Sequence, residues 1–337
     1  MIKNLAITTP ILGTIRLGEV VENAQGKRHP VRCNHFKITA QFKDAEGRWV
    51  EHPMHAAVAK QMGVEPDKIT EIPVHLMYND PELNMRARYE AFDRKGRIVC
   101  AGDGNCARRS DGEKIETVPC PGAEHCAFGQ QAKCDLFARI NVQIDGQDDE
   151  LSSFILRTES FNSVKTLTSK LDSLHALFGG RMTGVPFKLK LRQKASSQSH
   201  WSRFFYVDLI LNGVTLAEGA AMAKAWETTQ LELGLIQSKY EETVKANLRN
   251  GAFEEGAAEF DEIEPFLLAR NDDTADVPES DAPMVESTPQ LSTPQLENGL
   301  STGLEGLREM LAAAEAEVVN MRPRVLDGED IFADSKD

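Results

Sequence analysis

Five of the chain's six cysteines fall between Cys100 and Cys134, in the segment CAGDGNCARRSDGEKIETVPCPGAEHCAFGQQAKC. The segment has few apolar side chains, so something other than an oily core of its own must order it. Its spacing is Cys100-x5-Cys106-x13-Cys120-x5-Cys126-x7-Cys134, with Pro119 and Pro121 flanking Cys120 and five glycines available for tight turns. Thiols this dense in a reducing compartment point to a metal rather than to disulfides, because glutathione and thioredoxin keep them reduced. Thiolate ligands suit a tetrahedral zinc, with an iron–sulfur cluster as the alternative. Five cysteines exceed four positions, so one is spare, or His125 competes. The plain alternative is a set of unrelated free cysteines.

A closed four-thiolate zinc contributes on the order of 10 kcal/mol to folding, enough to hold such a loop without apolar packing. A catalytic zinc would need an open position and a nearby base. No HExxH or HxE pattern supplies one, and the adjacent Glu124 and His125 read as a solvated turn. The zinc is therefore expected to be structural.

Charge divides the chain unevenly. Residues 253–337 carry 22 acidic against 5 basic side chains, a balance of −17, so the total of −14 leaves the first 252 residues at +3. Cysteine, Trp and Tyr vanish from the acidic part, and STPQL occurs twice in succession from Ser287 to Leu296. Such a composition predicts a disordered tail, relieved by one amphipathic helix at about 302–320 capped by Thr302. Nowhere do 18 consecutive apolar residues occur, and the start has no long apolar run, so a cytoplasmic protein without a membrane segment is expected.

Periodicity fills in the body. Phe36, Ile38, Ala40 and Phe42 alternate with polar residues and predict a half-buried strand over His35–Phe42. A short helix over Met54–Gly63 follows, then strands at Ile72–Leu76, Met85–Tyr89 and Arg97–Cys100. Past the cysteines, Leu136, Ala138, Ile140, Val142 and Ile144 alternate with Phe137, Arg139, Asn141 and Gln143, and Ser153–Arg157 completes a hairpin. Val164, Leu167, Leu171, Leu174 and Phe178 predict an amphipathic helix over Ser160–Phe178, ended by Gly179 and Gly180. Strands at Val185–Arg192 and Arg203–Leu211 precede a helix running to about Asn250 with a break near Gly234. The resulting expectation is an α+β protein. Its β-rich parts, 1–98 and 136–252, are joined by a cysteine-rich zinc loop over 99–135 and followed by the acidic tail from 253.

At the cysteine segment the sequence resembles the recombination directionality factor-like family of phages and integrative elements, the accessory proteins of large serine integrases. The residues that carry the resemblance are IRLGE (Ile15 to Glu19), Cys100 with the Gly102-Asp103-Gly104 turn and Arg108-Arg109, and CPGAEHC with a further cysteine. Thr158 to Ser160 leading into a helix, and VPFKLKL (Val185 to Leu191), complete the set over roughly residues 10–215. The resemblance implies a non-enzymatic cytoplasmic factor. It would bind a serine recombinase through that enzyme's coiled-coil arm and turn integration into excision. It also places Cys100, Cys120, Cys126 and Cys134 on the metal, leaving Cys106 as the competing or spare ligand.

Two further readings come from the residues. Lys188, Lys190, Arg192 and Lys194, with Trp201 and Arg203, form a basic strand face that could meet phosphates or a partner, Trp201 stacking on a base. That makes a DNA-binding protein of mobile-element replication or recombination the alternative function. The bland reading is a solvated strand face. A metal-dependent hydrolase is the least supported reading, and no Gly-rich phosphate loop or GxSxG elbow supports an NTPase or serine hydrolase. The tail could mimic nucleic acid, dock its helix on an unknown partner, or simply solubilise the chain. His52 and His55 beside Cys33 read as a coincidence of composition rather than a second metal site.

Overall fold

The computed structural model describes residues 9–23, 26–195, 203–247 and 260–271. Strands β1 (Ile11–Glu22) and β2 (Arg28–Lys43) form a long antiparallel hairpin, with β3 (Trp49–Glu51) on the far edge of β2. Phe36, Ile38 and Ala40 are buried as their alternation requires. Phe42 is not: it is 62% exposed, because the pairing shifts register between Thr39 and Lys43 and the alternation breaks there. Helix α1 (Pro53–Met62) is capped by His52, whose ring accepts from the Met54 N–H, and stops at Gly63 in the left-handed region (φ 66°).

The two halves of the chain do not form separate domains. Strand β1 runs parallel beside β10 (Ser153–Thr158), and β10 is antiparallel to β9 (Asp135–Ile144). The other edge of β9 is shared: residues 135–140 pair with β5 (Met85–Phe92), and Val74 of β4 (Glu71–His75) pairs with Ile144. Beyond β5 the sheet continues through β6 (Ile98–Gly102), β7 (Cys106–Ser110) and β8 (Ile115–Pro119). Beyond β4 it continues through β11 (Phe187–Lys194) and β12 (Phe204–Leu211). Among the described residues, the twelve strands belong to one sheet, antiparallel except at β1–β10. Strands from before and after the cysteines interleave, so the expected boundaries at 98 and 136 cut through hydrogen-bonded neighbours.

Nor is 99–135 a loop. Most of it is a β-meander, completed after Cys126 by the short helix α3 (Ala127–Gln131). Backbone pairing on the sheet edge orders the segment, which is why it needs few apolar side chains.

One face of the sheet is covered by α1 and α4 (Phe161–Leu177). Ser160 caps α4 by accepting from the Ser163 N–H, and Val164, Leu167, Leu171 and Leu174 bury at the expected spacing. Across the hairpin, Ser163 Oγ accepts from the Val207 N–H at 3.0 Å and ties α4 to β12. Helix α5 (Leu216–Glu232) begins with a Thr215–Glu218 capping box and is separated from α6 (Gln237–Asn247) by Gly234 (φ 77°), where the break was expected. Trp226 on α5 is 43% exposed rather than core.

The opposite face carries the main departure from the sequence reading. Helix α7 (Phe260–Asn271) lies in the stretch expected to be disordered, and it packs on the sheet. Ile263 is fully buried against Phe92, Ile98, Ala101 and Phe137, with Phe266 and Leu267 beside it. Phe137, Arg139 and Asn141, the set that alternates with the apolar one, are also buried, Phe137 against α7, so β9 is enclosed on both sides. The expected helix at 302–320 and the rest of the acidic tail lie outside the described residues, as does Trp201.

Candidate metal centre and basic face

The four cysteines singled out for metal are brought to one place by four different pieces of backbone. Cys100 is on β6, Cys120 follows β8 with its N–H on the Asn105 carbonyl, Cys126 caps α3, and Cys134 leads into β9. Cys100 and Cys120 are buried in a small cluster with Ala91 and Ala107, and Cys134 and Phe128 pack against it. Cys126 Sγ accepts from the Gly129 N–H at 3.3 Å.

Two glycines make the approach possible. A Cβ on Gly102 would stand 2.5 Å from Cys120 Sγ and 2.8 Å from Ala107 Cβ, and one on Gly129 would stand 3.1 and 3.2 Å from the Cys126 and Cys134 Cβ atoms. Lys133, just before Cys134, holds a left-handed φ of 50°, the one such non-glycine among the described residues. Its Nζ donates to the Arg270 carbonyl and its own carbonyl accepts from Arg270, so the turn is pinned by α7.

The thiols feel one another. Burial first, and then the neighbouring Cys100, Cys120 and Cys126, push the Cys134 thiol up to about 12, with Arg270 opposing them. Arg109, stacked 4.0 Å over the Phe128 ring, donates to Cys126 Sγ at 3.7 Å and also interacts with Cys100. Cys106 stands apart: it is exposed, and its thiol is held up first by the Asp103 carboxylate, which its Sγ approaches at 3.7 Å. Glu124 and His125 are exposed, as a solvated turn requires.

The donor chemistry fits a soft, tetrahedral ion: four thiols, one of them held strongly protonated unless a cation relieves it. The side chains as placed do not close on a point. Among the described residues no group of three or more His, Cys, Asp or Glu side chains is arranged to hold a metal ion. The four cysteines are neighbours through their backbone, and the thiols of Cys100 and Cys126 are engaged by Arg109.

The basic strand face is different from what its sequence suggests. Glu71 on neighbouring β4 lies between two of its lysines, pairing with Lys188 at 2.6 Å and with Lys190, and both pairs hold the Glu71 carboxyl below its usual range. Arg192 pairs with Asp208 of β12 at 2.7 Å. Two cross-strand carboxylates therefore pair with three of the cations and offset two of their charges, and Arg192, Lys194 and Arg203 are exposed. Sequence periodicity sees one strand at a time and misses the acids that neighbours supply.

It also misses a second basic surface. Arg16, from the IRLGE motif, Arg157 and Arg139 sit on the adjacent strands β1, β10 and β9 under α7. Glu262 of α7 meets Arg16 at 2.5 Å, Arg157 at 3.6 Å and the Thr14 hydroxyl at 3.3 Å, while Arg139 meets Glu90 at 2.9 Å. Arg16 also stacks 3.9 Å over Trp49. The available signal was Phe260, Ile263 and Leu267 at helical spacing within the acidic stretch.

A family model described as Gp3-like, recombination directionality factor-like, matches residues 12–212. No curated protein and no solved structure matches the chain. Among the described residues, no helix is long and apolar enough to cross a membrane.

Proposed function

The chain belongs to the Gp3-like, recombination directionality factor-like family, and on that premise we propose that it is a non-enzymatic accessory factor. In this reading it binds a site-specific serine recombinase and controls the direction of recombination on a mobile element. The family match, extending from β1 through β12, is the observation that carries this reading. The ion pairs on β11 add weight against direct phosphate binding there, since Glu71 and Asp208 already engage Lys188, Lys190 and Arg192.

The test is recombination of attL with attR by the cognate serine integrase, with and without purified protein. Excision that depends on the protein, together with co-purification of the two proteins, is the expected result. A body that shifts labelled DNA steeply with salt while leaving every integrase unaffected would replace this reading with the DNA-binding one.

The same proposal gives the cysteine centre a structural zinc held by Cys100, Cys120, Cys126 and Cys134. Zinc there would cross-link the end of the meander to the start of β9, next to the Arg270 contact of α7. Metal analysis should find one zinc per chain, retained in Cys106→Ser and lost in Cys120→Ser. An iron–sulfur chromophore, or zinc that survives Cys120→Ser, would contradict it.

A further inference from the structure

We infer that the sheet face beneath α7 is a docking groove for an acidic amphipathic helix of a partner protein, and that α7 fills it in cis. Arg16 and Arg157 form a carboxylate receptor at its centre, and both lie within the family match at 12–212, whereas α7 lies beyond it. The groove therefore lies within the matched residues and its occupant outside them.

Polar contacts dominate the attachment of α7. Glu262 enters the Arg16–Arg157–Thr14 receptor, Glu264 pairs with Arg28 at 2.5 Å, Asp261 pairs with Lys43 at 3.1 Å, and at the other end of the helix Arg270 pairs with Glu159 at 2.6 Å. Against these five ion pairs, Ile263 is the one fully buried apolar side chain of the helix, helped by the partly buried Phe266 and Leu267. Pro265 inside the helix deletes one of its backbone hydrogen bonds. A helix held in large part by ion pairs can be replaced by another helix bearing the same groups.

The occupant is specified by what the face offers: a glutamate for Arg16 and Arg157, an apolar side chain one position on for the Phe92–Phe137 hollow, and a further acid for Arg28. That is a protein helix with Glu-apolar-Glu at its start and apolar residues three and four positions later. Nucleic acid offers no apolar ridge for the hollow. This reading needs no recombinase, so its failure and that of the directionality reading are separable.

The test uses the full chain and a labelled peptide spanning residues 258–272. Glu262→Gln in the chain should loosen the cis helix, so this variant should bind the peptide at least ten-fold more tightly than the unaltered chain. A peptide carrying its own Glu262→Gln should lose at least ten-fold. Hydrogen exchange supplies the second measurement: α7 amides in Glu262→Gln lose protection while those of α4 keep it. Three outcomes overturn the inference. The first is α7 remaining protected or unfolding together with α4, and the second is protection lost with no gain in peptide binding. The third is a concentration-dependent dimer of Glu262→Gln, which would assign the groove to a second copy of this chain.

Discussion

Gly102→Ala probes how tightly the cysteine centre is built. The backbone at Gly102 needs no left-handed conformation, so alanine meets no strain of its own there. The added methyl would instead stand 2.5 Å from Cys120 Sγ, 2.8 Å from Ala107 Cβ and 3.0 Å from Cys120 Cβ. Rotation of the thiol relieves only the first of these, because the other two are Cβ atoms fixed by β7 and by the backbone at Cys120. Relief must come from displacing strand against strand, an overpacking cost of about 1–3 kcal/mol. For a body of this size that lowers the melting temperature by on the order of 2–10 °C, measurable by calorimetry alongside urea titration with an unchanged slope. A loss below about 0.5 kcal/mol would show that β7 and the Cys120 segment yield freely, and would refute the close packing on which the centre's convergence rests.

Other expectations follow from buried polar groups. Glu90→Ala removes the carboxylate paired with Arg139, whose side chain is 4% exposed, and should cost roughly 3–5 kcal/mol in denaturant unfolding; a loss under 1 kcal/mol would mean that the guanidinium is satisfied without Glu90. Burial holds the His55 imidazole below its ordinary value of 6.5, and its Nδ1 accepts from the Ile38 N–H at 3.3 Å, so the folded state wants it neutral. With the folded value depressed, its contribution is present above pH 6.5 and is lost as pH falls through the folded value. His55→Gln should therefore flatten the decline in stability on the acid side of pH 6.5, and an unchanged pH profile would contradict this.

Elements whose signal is local were legible in the sequence. The α4 stripe from Val164 to Phe178, the Gly63 stop and the Gly234 break depend on spacing within one segment, and the structure keeps them. Features set by neighbours were not. The second face of β9, with Phe137, is covered by α7 from far along the chain, and Lys188, Lys190 and Arg192 of β11 meet Glu71 and Asp208 of neighbouring strands that their own strand does not reveal. The division into two parts failed for the same reason, since the parallel contact of β1 with β10 joins residues about 140 positions apart. Convergence of the four cysteines was suggested by family resemblance, and spacing alone left Cys106 in contention; its exposure on β7 separates it from the others.

The proposed function is redirection of a serine recombinase. The most direct measurement is the yield of attL × attR recombination by the cognate integrase in the presence of the purified full chain. Excision product should rise with added protein and saturate near equimolar ratio, with no product from the protein alone. Excision unaffected by the protein at any ratio, with the integrase active on attP × attB, would contradict it.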